Sequence, residues 1–217
     1  LHDSMIDELL TLASDTVKAA TRKGADAAEA MIADGRGTSI SIRDGNIESL
    51  EQADAREIGI RVFVGQSSAM ISASVLSKDA IDRIIGNAIA VAKLAPPDPY
   101  AGIAEADQLA TSFPDLDLVS PTQPDAKTLE RMAREAEDAA RAVKGVTKTN
   151  GAGASCSDRV IVMAASNGFA HGYRTTGSGV SASVIAGDGT AMERDYDYSS
   201  ALHFGDLQSG VGEAMFE

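Results

Sequence analysis

The chain has 217 residues and a mass of 22.4 kDa, with 32 acidic against 19 basic side chains, a formal charge of −13 and an isoelectric point near 4.6. That balance excludes a protein that grips nucleic acid through clustered lysine and arginine. An apolar content of 44% with a mean hydropathy of −0.07 excludes a disordered chain, and no run approaches the roughly 20 apolar residues of a membrane-spanning helix.

From Ser4 to Lys23 the residues Leu9, Leu12, Ala13, Thr16, Val17 and Ala20 fall on one helical face. Asp3 or Ser4 supplies the cap and Gly24 the stop, so this segment is expected to be a helix. The period then changes to two: Ile40 and Ile42 alternate with Ser39, Ser41 and Arg43, and Asp44-Gly45-Asn46 provides the positive-φ residues of a tight hairpin turn. Ile58, Ile60, Val62 and Val64 alternate before Gly65-Gln66 and a strand from Ser68 to Ser74, a second hairpin. A helix over 77–94 carries Ile81, Ile84, Ile85, Ala88, Ile89 and Ala92 on one side.

Pro96-Pro97-Asp98-Pro99 ends that helix, and Pro114, Pro121 and Pro124 punctuate the next stretch, so residues 96–124 read as a linker. A third helix over 125–144 turns Leu129, Met132, Ala133, Ala136, Ala140 and Val143 inward, and its run Glu130-Arg131 through Glu137-Asp138 reads as a solvated face. Val160 to Ala164 is a continuous apolar strand, Asn167-Gly168 a turn, and Val180, Ala182, Val184 and Ala186 alternate before Asp188-Gly189. The expected class is therefore α+β, with two lobes of antiparallel hairpin sheets each flanked by helices. Their boundaries are 1–95 and 125–217 about the linker at 96–124.

Cys156 is the single cysteine, so no internal disulfide forms. That fits a reducing cytoplasm, as does a start, Leu1-His2-Asp3, without the regions of a signal peptide. There is no initiator Met, and residues 206–216 read as the beginning of an amphipathic helix, which together suggest a piece of a longer protein with its second lobe cut short.

Few residues are placed for chemistry. Zinc hydrolysis commonly uses two histidines one helical turn apart with a glutamate between them, and His2, His171 and His203 show no such spacing. A site joining His171, His203 and Cys156 competes with ordinary strand histidines and a buried thiol, and the latter is the expectation. No Gly-x-Ser-x-Gly elbow occurs. Gly151 to Ser155 and Gly177-Ser178-Gly179 lack the lysine of a phosphate loop and read as flexible turns. The densest polar feature is Arg194-Asp195-Tyr196-Asp197-Tyr198, whose alternation sets the two aspartates on one face and the two tyrosines on the other. It reads either as an interaction surface or as a strand with one solvated face and one half-buried aromatic face.

Arg56-Glu57-Ile58-Gly59-Ile60-Arg61-Val62-Phe63, Asp98-Pro99-Tyr100-Ala101-Gly102, Ser166-Asn167-Gly168-Phe169 and Arg194-Asp195-Tyr196-Asp197-Tyr198-Ser199 resemble the PmbA/TldD family over almost the whole chain. The last motif resembles its PmbA branch, also called TldE. The resemblance implies a cytoplasmic heterodimeric peptidase that degrades unfolded peptides and matures a peptide antibiotic precursor, in a family also named for modulation of DNA gyrase. In such a pair the TldD-like subunit carries a His-Glu-x-x-x-His zinc motif in a C-terminal β-rich domain. Neither that motif nor that domain occurs in this chain, so no catalytic residue carries over. No metal or cofactor is expected here, and the zinc is expected on the TldD-like partner.

The leading expectation is thus a non-catalytic partner subunit that admits unfolded peptide and docks the zinc-bearing subunit. The alternatives are the front part of a TldD-like catalytic zinc peptidase and a stand-alone binding module. Direct DNA binding is not expected at this charge, and no membrane association is expected.

Overall fold

The structure is a computed structural model and describes residues 2–208 and 210–213. It begins with helix α1 (His2–Arg22), followed by strands β1 (Ala27–Arg43), β2 (Asn46–Val64) and β3 (Ser67–Ala73), then helix α2 (Lys78–Ala92). Helix α3 (Ala126–Ala142) precedes strands β4 (Val146–Ala165), β5 (Ala170–Ala186) and β6 (Glu193–Ala201). The class is α+β.

The hairpins of the two halves meet through β1 and β4 in a six-stranded antiparallel sheet of order β3-β2-β1-β4-β5-β6. Asp44 and Gly45, with φ of 50° and 72°, form the turn between β1 and β2, as the Asp-Gly pair requires of a two-residue loop matched to strand twist. Val64 pairs with Ser67 across the next turn.

Two compact units emerge. One comprises residues 1–35, 55–115 and 159–174, and the other 36–54, 116–158 and 175–217. These units interleave along the chain, because β1, β2, β4 and β5 are 17–20 residues long and each supplies residues to both. The physical reason is rise: a strand advances about 3.3 Å per residue and a helix about 1.5 Å, so one helix covers only part of such a strand.

In the first unit, Leu9, Ala13, Val17 and Ala20 of α1 and Ile81, Ile84, Ile85 and Ala88 of α2 pack on Ile32, Ile58, Ile60, Val62, Val160 and Val162. Ser77 caps α2 by accepting from the Ala80 N–H at 3.3 Å. In the second unit, Leu129, Ala133, Ala136 and Ala140 of α3 pack on Ile40, Ile42, Ala152, Ala154, Val180, Ala182 and Val184. Small side chains dominate that core, as the composition anticipates.

Asp125 caps α3, its carboxylate accepting from the Thr128 N–H at 2.8 Å. The side-chain and backbone donors of Thr128 hold the Asp125 pKa below the ordinary carboxylate value. A depressed folded-state pKa contributes stability that is present above the unfolded value and lost as pH falls through the folded one. The expected result is a wild-type unfolding midpoint above that of Asp125→Ala at neutral pH, the two converging in strong acid below the usual carboxylate range. A gap independent of pH rejects the charged cap.

The Pro-rich segment is tied down along its length. Asp98 N–H donates to the Gln66 carbonyl at 2.7 Å, and the Asn167 amide donates to the Ala104 carbonyl at 2.9 Å. In the second unit Thr176 N–H donates to the Leu118 carbonyl, and Ser120 N–H to Thr176 Oγ1 at 2.8 Å.

Two expectations are corrected. Residues 151–155 and 177–179 are not turns but lie inside β4 and β5. Their glycines sit where a neighbouring strand comes close: a Cβ on Gly151 would lie 2.9 Å from the Ile42 carbonyl oxygen. The described part of 206–216 is not an amphipathic helix; a short 3-10 turn at Phe204–Asp206 gives way to extended and turn backbone. Gly210 and Gly212, with φ of 81° and 96°, break the helical course. Residues 209 and 214–216 of that expectation lie outside the described residues.

Candidate functional site

β6 follows a 3-10 turn at Gly189–Ala191 and pairs antiparallel with β5, placing Tyr196 opposite Ser183 and Tyr198 opposite Ser181. The period of two separates tyrosines from aspartates as the sequence anticipates, but the faces are inverted. Tyr196 and Tyr198 are 65% and 64% exposed, whereas Asp195 and Asp197 are half-buried and Ser199 is buried. The half-buried aromatic face is therefore corrected to a solvated one.

The cause lies in what packs on the aspartate side. Asp197 accepts from Gly212 N–H at 2.8 Å and Ser199 Oγ from Gln208 N–H at 3.0 Å, so the chain after β6 folds back on that face. The two tyrosine rings stack in the open, centroids 6.4 Å apart and planes within 18°. Arg194 shares their face, and its Nε donates to Ser183 Oγ at 3.2 Å. The result is an aromatic pair on an edge strand, with small serines behind it and carboxylates on the reverse face.

The other candidate groups are dispersed. His171 stacks on Phe113 with centroids 3.6 Å apart and planes within 5°, and Phe113 meets Phe169 edge-on. His203 Nε2 lies 2.7 Å from the Asp117 carbonyl oxygen. Cys156 Sγ donates to the Pro124 carbonyl at 3.7 Å, and burial pushes its thiol pKa up. Among the described residues no three His, Cys, Asp or Glu side chains gather as a metal site. The described residues therefore do not fit a zinc ion, because the His171 ring is stacked on Phe113, His203 Nε2 is engaged at the Asp117 carbonyl and the Cys156 thiol at the Pro124 carbonyl.

Glu137 was hidden by its charged neighbours in the sequence. It is 1% exposed, and its carboxylate accepts from the backbone N–H groups of Asp44 and Gly45 at 2.9 and 2.8 Å. Arg134 donates to the Gly45 carbonyl and Arg141 lies 3.4 Å from the Asp44 carboxylate. Helix α3 thus grips the β1–β2 turn. The signal was available: Glu137 is four residues after Ala133 and eight after Leu129, on the apolar stripe. The solvated-face reading is corrected at this residue.

Comparison with known proteins defines the class. Residues 28–92 match the model described as PmbA/TldA metallopeptidase domain 1, and residues 119–214 match the PmbA/TldA metallopeptidase central domain. The chain belongs to the PmbA/TldD family.

It is 35% identical over 205 residues to the metalloprotease PmbA homolog of Haemophilus influenzae and 36% identical over 186 residues to metalloprotease PmbA of Escherichia coli O157:H7. Those alignments cover 94% and 85% of this chain, which spans 45% and 41% of the relatives' lengths. Among solved structures, a protein described as a modulator of DNA gyrase from Bacteroides thetaiotaomicron superposes with a TM-score of 0.80 at 24% identity, covering 95% of this chain and 48% of that one. TldE from Thermococcus kodakarensis gives 0.64 at 14% identity, covering 87% of this chain and 42% of that one. At these identities the two structures establish the fold. No helix among the described residues is long and apolar enough to cross a membrane.

Proposed function

We propose that this chain carries the first and central domains of a PmbA-type, non-catalytic subunit, which pairs in the cytoplasm with a TldD-type subunit bearing the zinc and presents unfolded peptide to it. The observation that supports the PmbA part of the reading is the 35–36% identity to PmbA proteins over 85–94% of the chain. The edge strand with its exposed tyrosines supports it, because an unfolded peptide can add to a sheet edge through main-chain hydrogen bonds with little demand on sequence. Arg194, Asp195, Tyr196, Asp197 and Tyr198 are its proposed interaction residues. Direct DNA binding has no place in this role, since a chain of charge −13 repels phosphate.

The test reconstitutes the intact polypeptide with a TldD-type subunit and follows cleavage of a stable domain and of its unfolded variant. Cleavage tracks the open fraction of a substrate, so the unfolded form is expected to be cut at least about a hundredfold faster. Neither subunit is expected to act alone. Equal rates on both substrates reject the selection of unfolded peptide, and zinc-dependent cleavage by this polypeptide alone rejects the non-catalytic role.

A further inference from the structure

β6 ends the sheet order, so among the described residues it has a strand on one side only. Side chains of a strand added to that edge would alternate between the two faces with a period of two. One set would run beside Tyr196 and Tyr198, backed by the small Ser181 and Ser183. The other would run beside Asp195 and Asp197, where Gly212 N–H bonds the Asp197 carboxylate.

Charge separates the two sets. On β6 the carboxylates of Glu193, Asp195 and Asp197 share one face by alternation, while the guanidinium of Arg194 lies on the tyrosine face bonded to Ser183. The aspartate face therefore favours cations, and the tyrosine face favours broad apolar or aromatic side chains that pair across strands.

We propose that β6 binds an extended peptide as an added strand and selects one in which aromatic or β-branched residues, set over Tyr196 and Tyr198, alternate with lysine or arginine on the Asp195 and Asp197 side. The inference rests on the proposed function only in taking peptide as the ligand. It adds a preference in chemistry and in pattern.

Fluorescence anisotropy on the intact polypeptide, without the zinc-bearing subunit, tests it with three labelled peptides. One alternates Val or Tyr with Lys, one has the same composition in blocks, and one replaces every Lys by Glu. The alternating basic peptide is expected to bind at least about tenfold tighter than the Glu peptide and about fivefold tighter than the block isomer. Its affinity is expected to fall with added salt, which screens charges over about 10 Å at 0.1 M. Tyr196→Ala with Tyr198→Ala is expected to weaken it about tenfold with the unfolding midpoint unchanged, since both rings are exposed.

Equal binding of the Lys and Glu peptides, or of the two isomers, overturns the proposal. So does a double variant that keeps its peptide affinity but loses the TldD-type subunit, an outcome that assigns the aromatic pair to the subunit interface. Because the assay reads binding in the absence of the zinc subunit, failure of cleavage in the reconstituted pair leaves this result standing, and failure here leaves subunit pairing standing.

Discussion

Glu137→Ala is expected to lower the unfolding free energy by about 2–4 kcal/mol, since a hydrogen bond to a charged group contributes about 1.5–3 kcal/mol and this carboxylate accepts two. The total stays below twice the single value because Asp44 and Gly45 are exposed, and their N–H groups regain water once the carboxylate is gone. Glu137→Gln keeps the volume but only one acceptor oxygen, so about 1–2 kcal/mol is expected. Arg141→Ala serves as the control: its ion pair with Asp44 is exposed on both sides, and such pairs contribute about 0–1 kcal/mol. Urea unfolding measures all three. A Glu137→Ala midpoint close to that of Arg141→Ala would show that α3 holds the turn by apolar packing alone.

Gly151→Ala is expected to cost about 2–4 kcal/mol, against about 1 kcal/mol for Gly168→Ala. Both glycines have positive φ, 103° and 96°, so alanine is strained at either. Only at Gly151 does the new Cβ also meet backbone, the Ile42 carbonyl oxygen at 2.9 Å, whereas nothing lies within 4 Å at Gly168. A carbonyl held in a sheet cannot swing aside as a side-chain end can, so β1 and β4 must part locally. Thermal or urea unfolding of the two variants reads the difference. Equal losses would mean that β4 relaxes at this position and that φ alone sets the cost.

Much of the architecture is legible in the residues alone. The stripes of α1 and α2, the Asp44-Gly45 turn and the alternation of Ile58, Ile60 and Val62 depend on local sterics and on one unambiguous apolar face. The site is legible only in part. In Arg194 to Tyr198 the alternation is plain, but neither set of residues is aliphatic, so hydrophobicity alone does not say which face turns inward. Hydrogen bonds from Gly212, 15 residues beyond Asp197, and from Gln208, 9 beyond Ser199, decide it.

Local order along the chain therefore settles the three helices, the Asp44-Gly45 turn, the acidic character and the family resemblance. Backbone sterics, periodicity and charge act between near neighbours and can be read there. It takes the folded molecule to bring β1 beside β4, to bury Glu137 against a turn more than 90 residues away, to set Gly151 within a strand and to turn the tyrosines toward solvent. Each of these depends on which distant segment supplies the hydrogen-bond partner or the packing surface, and spacing along the chain carries no record of that choice.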